Sequence, residues 1–334
     1  MRQVSLIALL FPVLFTLAGC TKKSDKPEVW IYTSIYKDTI ADIQPKLEAK
    51  FPDYKFNFFQ AGSEEVAAKV NAEELAGGTK ADILIFSDRF WFEEMAQKNR
   101  LHKYVPANAD KVADQLKNKD CLYAAVSIPV MVLIYHADMV NEQEAPKTFK
   151  DLVDGKWKGK FSTGSPLASG TNFTTVAFLQ KAYGWDYFKS LRKNDTISEG
   201  GNSAVIRRVQ TKERPVGWVL LENALRLQDS DPKVKIVYPD DGAVLNTNVL
   251  AITKKESSRE PAQKVADWFF AEEGQKAMVK SYMYAAVPGY EAPRGAPKFE
   301  EILAKAPKWS PDLVQEFMKN RENLKEEFSK IMLQ

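Results

Sequence analysis

Residues 29–86 read VWIYTSIYKDTIADIQPKLEAKFPDYKFNFFQAGSEEVAAKVNAEELAGGTKADILIF, and their pattern decides the fold. Val29-Trp30-Ile31-Tyr32 is a short apolar run, and Asp38 to Phe51 sets Ile40, Ile43 and Leu47 at helical spacing. Pro52-Asp53 breaks that helix, and Tyr54 to Phe59 then alternates as a half-buried strand. Ser63 to Leu75 is helical up to the stop at Gly77-Gly78. Ala81 to Phe86 is a further buried strand, and Phe90 to Gln97 a further helix. Such a βαβαβ beginning predicts a mainly parallel sheet with helices on both faces.

A second series follows. Leu122 to Tyr135 is β-rich and interrupted by Pro129, and strands are expected near Phe161, Val216 to Leu220, Val234 to Tyr238 and Val249 to Thr253. Helices are expected over Phe173 to Tyr183, Val205 to Gln210, Ala262 to Tyr282, Glu300 to Ala304 and Pro311 to Met332. An α/β protein of two lobes joined by paired extended segments accounts for this order. The 334 residues leave room for two ordinary domains. With 45% hydrophobic and 27% charged residues, the composition excludes a collagen-like, disordered or polytopic membrane chain. Lys plus Arg number 47 against 44 acids, and a net charge of +3 gives no support to nucleic-acid binding. Two Cys and two His are too few for a zinc module, and no metal or cofactor is expected. The chain lacks a Gly-x-Ser-x-Gly elbow, a phosphate loop and a dinucleotide fingerprint, so an enzyme is the least supported class.

The N-terminus carries an address. Arg2 precedes an apolar segment from Val4 to Leu17, which is short for a membrane span and placed where a secretory signal sits. Leu17-Ala18-Gly19-Cys20 looks like a bacterial lipobox, making residues 1–19 a lipoprotein signal peptide and Cys20 the lipidated first residue. Residues 20–27 then form a polar tether. Cys121 is left without a disulfide partner and is expected as a small buried apolar residue.

Small hydroxyls, amides and glycines collect where strands give way to helices. They are Thr33-Ser34, Gly62-Ser63, Ser87-Asp88, Ser169-Gly170-Thr171-Asn172 and Gly201-Asn202-Ser203. Free N–H groups, a positive dipole end and a short hydroxyl together suit an anion. The plain alternative for each loop alone is an ordinary N-cap. Ligands of open α/β sheets sit at the carboxyl ends of the strands, so several such loops argue for one shared oxyanion pocket.

These residues also resemble a known group. Gly62-Ser63-Glu64-Glu65, Ala81-Asp82-Ile83-Leu84 and Ser87-Asp88 resemble the first lobe of periplasmic solute-binding proteins of ABC importers. The subgroup is the one containing ferric-iron, thiamine, phosphonate and sugar-phosphate binders. Phe149-Lys150-Asp151-Leu152, Lys156-Trp157-Lys158-Gly159-Lys160, Ser169-Gly170-Thr171, Pro239-Asp240-Asp241-Gly242 and Ala271-Glu272-Glu273-Gly274-Gln275 continue the likeness in order. The resemblance implies a two-lobed (type II) binding fold, with residues 28–120 and 239–285 in lobe 1 and residues 121–238 and 286–334 in lobe 2. Leu122 to Ser127 and Lys235 to Tyr238 would be the hinge strands. It also implies a monomer in the periplasm or cell envelope, lipid-anchored, which closes on a small solute and presents it to an ABC permease in the membrane.

Iron binders of this group place two adjacent tyrosines after the strand that corresponds to Val216 to Leu220. Here the chain reads Trp218-Val219-Leu220-Leu221-Glu222, and the first strand leads into Ser34-Ile35-Tyr36 without the group's histidine and glutamate. His102 and His136 are far apart and read as ordinary structural histidines. The departures favour a small anionic solute: an organophosphate, a phosphonate or a sugar phosphate. Ser34, Gly62, Ser63, Ser87, Ser169, Gly170, Thr171, Asn202 and Ser203 are the candidate anion contacts. Glu222 and Asp241 are candidates for sugar hydroxyls or an ammonium at the ligand's other end. Tyr36, Tyr282 and Tyr284 are the first positions to suspect if iron binds. Ferric iron, thiamine or a polyamine on the same fold, or a receptor for a membrane sensor kinase, stay as alternatives.

Overall fold

The computed structural model describes residues 26–255 and 259–334. The expected signal peptide, Cys20 and the tether up to residue 25 lie outside them. The chain opens with β1 (Glu28–Thr33), α1 (Lys37–Lys50), β2 (Lys55–Gln60), α2 (Ser63–Leu75), β3 (Ile83–Phe86), α3 (Arg89–Gln97) and β4 (Leu101–His102). It continues through β5 (Ala124–Ile128), β6 (Val130–His136), β7 (Phe161–Thr163), α4 (Gly170–Tyr183), α5 (Trp185–Lys193) and β8 (Ile197–Ser198). Next come α6 (Asn202–Gln210), β9 (Val216–Leu220), α7 (Leu221–Ser230), β10 (Val234–Val237), β11 (Val244–Leu245) and β12 (Asn248–Thr253). The described chain ends with α8 (Arg259–Phe270), α9 (Glu272–Lys280), β13 (Tyr284–Ala285), α10 (Phe299–Lys305), α11 (Pro311–Lys319) and α12 (Arg321–Met332). No helix among the described residues is long and apolar enough to cross a membrane.

The strands form two sheets. The first runs β13-β5-β12-β3-β1-β2 with β4 beside β12, and the second runs β10-β6-β9-β7-β8 with β11 beside β6. As the opening stretch predicts, β1 pairs in parallel with both β2 and β3. All of Ile83–Phe86 is buried, as a strand covered on both faces must be. Helix α1 turns Thr39, Ile43 and Leu47 inward at four-residue spacing. The α/β class with two lobes holds.

The expectation of mainly parallel sheets needs correction. Strand β12 runs antiparallel to β3 and β5, and β6 runs antiparallel to β9, β10 and β11. The cause is the interlobe connection, because the strands that carry the chain between sheets enter each sheet reversed. Both sheets are therefore mixed.

The hinge also shifts. Strand β5 belongs wholly to the first sheet and β6 to the second, so the chain crosses at Pro129. Proline has no N–H to continue a ladder, which suits this point of departure. The return crossing is at Asn246-Thr247, between β11 and β12, and the Asn246 N–H donates to the Pro129 carbonyl at 2.8 Å. By strand membership, β5 leaves the stretch 121–238 for the first lobe, and β11 leaves 239–285 for the second. Val314 and Phe317 of α11 and Leu324, Phe328 and Met332 of α12 pack in the second core, with Phe161, Phe188 and Trp218. Cys121 is half-buried in a turn, with φ of +60°, and is not a core residue.

Candidate functional site

Strands of both lobes end at the cleft, and the turns that follow open helices into it. Strand β1 ends before Ser34-Ile35-Tyr36 and α1; β2 ends at Gln60, before Ala61-Gly62 and α2; β3 ends before Ser87 and α3. From the other lobe, Ser169 opens α4, Gly201 opens α6, and Leu220 opens α7 directly from β9. Together these turns enclose a cavity of about 150 Å3 between the lobes.

The lobes touch around it. The Gly170 N–H donates to the Ser63 hydroxyl at 2.7 Å across the cleft. A Cβ on Gly170 would fall on the Ser87 carbonyl oxygen, so this approach requires glycine. Tyr36 closes another corner by donating its phenol hydrogen to Asn223 Oδ1 at 2.7 Å.

A buried polar network supports the second-lobe wall. The Trp218 indole N–H donates to Asn172 Oδ1 at 2.9 Å, and Asn172 Nδ2 donates to Asn202 Oδ1 at 3.1 Å. Asn202 Nδ2 donates to the Thr171 hydroxyl at 3.2 Å, and that hydroxyl lies 2.9 Å from the Ser169 hydroxyl. The first-lobe wall is held by Ser87, whose hydroxyl donates to Asn248 Oδ1, while Asn248 Nδ2 donates to Ser127 Oγ at 2.9 Å. Rotamers fixed in this way present their remaining polar valences at defined positions.

The charge balance is unusual for a pocket with so many polar atoms. No Lys or Arg is among the described lining residues, and no side-chain hydrogen bond caps α1, α2, α6 or α7. Helix N-termini are therefore the positive groups among the described lining of the cavity. Glu222, in the first turn of α7, is 3% exposed, and its Oε2 has no hydrogen-bond partner. Burial pushes its carboxyl up to about 8, against the pull of its own backbone N–H and of Arg226. Burial and the neighbouring Glu222 also raise the Tyr36 phenol.

Of the sequence candidates, Ser34, Gly62, Ser63, Ser87, Ser169, Thr171, Asn202, Ser203 and Glu222 line the cavity. Gly170 adjoins it through its bond to Ser63. Asp241 does not. It accepts from the Phe149 and Lys150 N–H groups at 2.9 and 3.0 Å and from the Tyr183 hydroxyl at 2.7 Å. It caps a turn on an exposed face of the second lobe, and this corrects the expectation of a ligand contact. Trp218 lies in the core, and His136 is buried in β6. Sequence reasoning left Gln60, Tyr36, Asn248 and Met283 out of the pocket. Gln60 sits at a strand end and was within reach of the strand-end rule. Asn248 and Met283 arrive through the return crossing and through β13, where no local motif marks them.

Residues 78–310 match the family described as bacterial extracellular solute-binding protein. A probable ABC transporter periplasmic-binding protein of Sinorhizobium fredii is 23% identical over 270 residues, covering 78% of this chain and 72% of that protein. The iron-bound structure of HitA from Pseudomonas aeruginosa superposes with a TM-score of 0.79 at 20% identity, over 90% of this chain and 99% of that one. AfuA from Actinobacillus pleuropneumoniae, solved with exogenous fructose-6-phosphate, superposes with a TM-score of 0.81 at 22% identity, over 92% and 99%. At these identities the structural likeness establishes the two-lobed fold.

Proposed function

We propose, from the premise that this chain belongs to the bacterial extracellular solute-binding protein family, that it captures a small anionic solute for an ABC importer. One observation carries the reading: helix N-termini from both lobes converge on a cleft cavity with no lysine or arginine among its described lining residues. A helix N-terminus leaves backbone N–H groups without intrahelical partners, and several converging on one cleft offer them to a common occupant. Charged phosphoryl or phosphonyl oxygens accept from such groups, and each hydroxyl bond to them is worth roughly 1.5–3 kcal/mol. Delivery to an importer accords with the name of the Sinorhizobium relative. Lipidation at Cys20 would keep the receptor beside its permease in the cell envelope.

The solute is small. Pockets for drug-sized ligands run to about 300–1,000 Å3, and this one holds about 150 Å3. A phosphonate with few carbons suits this degree of closure, and a sugar phosphate needs the lobes farther apart. Glu222 faces the other end of such a ligand. As a neutral acid it donates to an acceptor, and as a carboxylate it pairs with an ammonium or a hydroxyl. Ferric iron is the second reading, since HitA binds it on the same fold. Against it, Tyr36 and Glu222 are the phenol and carboxyl lining the cavity, and burial holds both toward their protonated forms.

A thermal-shift screen of the purified protein against phosphonates, sugar phosphates, thiamine, polyamines and ferric citrate tests the reading. A ligand at a hundred times its Kd adds about 2.7 kcal/mol of stability. The expected hit carries a phosphoryl or phosphonyl group. A shift with ferric citrate alone, accompanied by a visible charge-transfer band, would replace the anion reading with iron.

A further inference from the structure

We infer that Arg321 is a positioning residue of the cleft, clasping the two first-lobe turns that carry Ser63 and Ser87 to the second lobe and so favouring closure before ligand arrives. Arg321 opens α12, which is anchored in the second core through Leu324, Phe328 and Met332. The Phe328 ring meets Phe188 of α5 at 5.5 Å. From that anchor, Arg321 Nη2 lies 2.8 and 2.9 Å from the two Glu64 oxygens and also pairs with Asp88 Oδ2. Lys325, one turn later, donates to Glu64 Oε2 at 2.7 Å. Glu64 directly follows Ser63 and Asp88 directly follows Ser87, so the clasp holds the backbone of both cavity turns.

The clasp is buried and balanced. Side-chain exposure is 14% for Glu64, 0% for Asp88, 11% for Arg321 and 9% for Lys325. Two acids face two cations, and both cations also lie over the Phe173 ring of α4, at 5.7 and 5.8 Å. The remaining charged neighbour is Glu322, exposed, 3.1 Å from Arg321 Nη1. A planar guanidinium can serve two carboxylates at once, whereas an ammonium in its place is a single point charge on a different stem. A second interlobe contact, Arg226 to Asp38 at 3.3 Å, involves a carboxylate that is 87% exposed, so solvent weakens it. Of these two charged contacts, the buried one is the less screened by solvent.

The inference rests on the cleft reading only in naming what is positioned, and its test uses no ligand. Small-angle scattering on the ligand-free protein, with circular dichroism as the check on folding, reads the lobe separation. The wild type should scatter as the closed form, with a radius of gyration near about 20 Å for a compact chain of this length. Arg321→Met should shift that radius upward, and Arg321→Lys should give a smaller shift. Glu64→Gln, which keeps the size but removes the charge and one of the two acceptor oxygens, should also expand the molecule and stands in if Arg321→Met does not fold. A merely structural role would lower the melting temperature and leave the radius unchanged, and that result in folded variants would overturn the inference. Expansion in the variants alongside a failed anion screen would uphold the clasp and sink the ligand reading alone.

Discussion

Two corners of the same cleft are built alike and end up electrically opposite. Where α2, α4 and α6 meet, the cavity receives Ser63, Ser169, Thr171, Asn202 and Ser203, and the nearby Glu64 is occupied by Arg321 and Lys325. Neither α4 nor α6 carries an acid in its first turn. Where α1 and α7 meet, an N-terminus with no side-chain cap carries Glu222, buried and unpaired at Oε2. The first corner offers donors to an anion, and the second offers a carboxyl to whatever is attached to it. A ligand that is anionic at one end and a hydrogen-bonding or cationic group at the other matches both.

The sharpest way to break this contrast is to make the corners alike. Thr171→Asp puts a carboxylate in the donor corner, and two unit charges about 4 Å apart at an effective dielectric of 20 repel by about 4 kcal/mol. Affinity for the anionic ligand should fall by about a thousandfold, as read by titration calorimetry. Retained binding would mean that the anion sits elsewhere.

Next in size is the pH response of the acid corner. The folded-state pKa of Glu222, about 8, lies above its ordinary value because of burial. Between about pH 4.5 and 8 the folded chain thus holds a proton that the unfolded chain has lost, so stability must fall as pH rises through that window. The loss should amount to as much as a few kcal/mol in the wild type and be absent in Glu222→Gln. Parallel denaturation profiles for the two proteins across that range would show that Glu222 is ionised in the fold.

Smaller, but more diagnostic of contact, are Ser63→Ala and Thr171→Ala. Each should weaken binding by at least about tenfold, the equivalent of one bond to a charged oxygen. Were they caps only, stability would drop by about 1 kcal/mol and affinity would hold. Asp241→Ala supplies the control: a stability loss of about 1 kcal/mol with binding unchanged, since it caps a distant turn.

The fold was legible where one physical rule dominated. Ile83–Phe86 reads as buried because four consecutive apolar residues have no polar face, and the strand-to-helix turns read as a site because Ser, Thr, Asn and Gly cluster there. Pro129 marked an interruption, but nothing local said that the chain changes sheet at it. The return at Asn246-Thr247 carries no Gly or Pro at all. Asp241 misled because an acid beside a glycine turn looks the same whether it caps a backbone or faces a ligand. The Arg321 clasp was illegible, since its partner Glu64 lies 257 positions away and only tertiary packing of α12 joins them.

The central claim is that backbone and hydroxyl donors at helix N-termini hold an anion. Calorimetric titration of the wild-type protein with the strongest phosphonate or phosphate hit, and in parallel with its uncharged dimethyl ester, tests it most directly. The account predicts that the anion binds and that the ester loses at least two decades of affinity. Equal binding of the two, or stoichiometric uptake of ferric ion in preference to either, would contradict it.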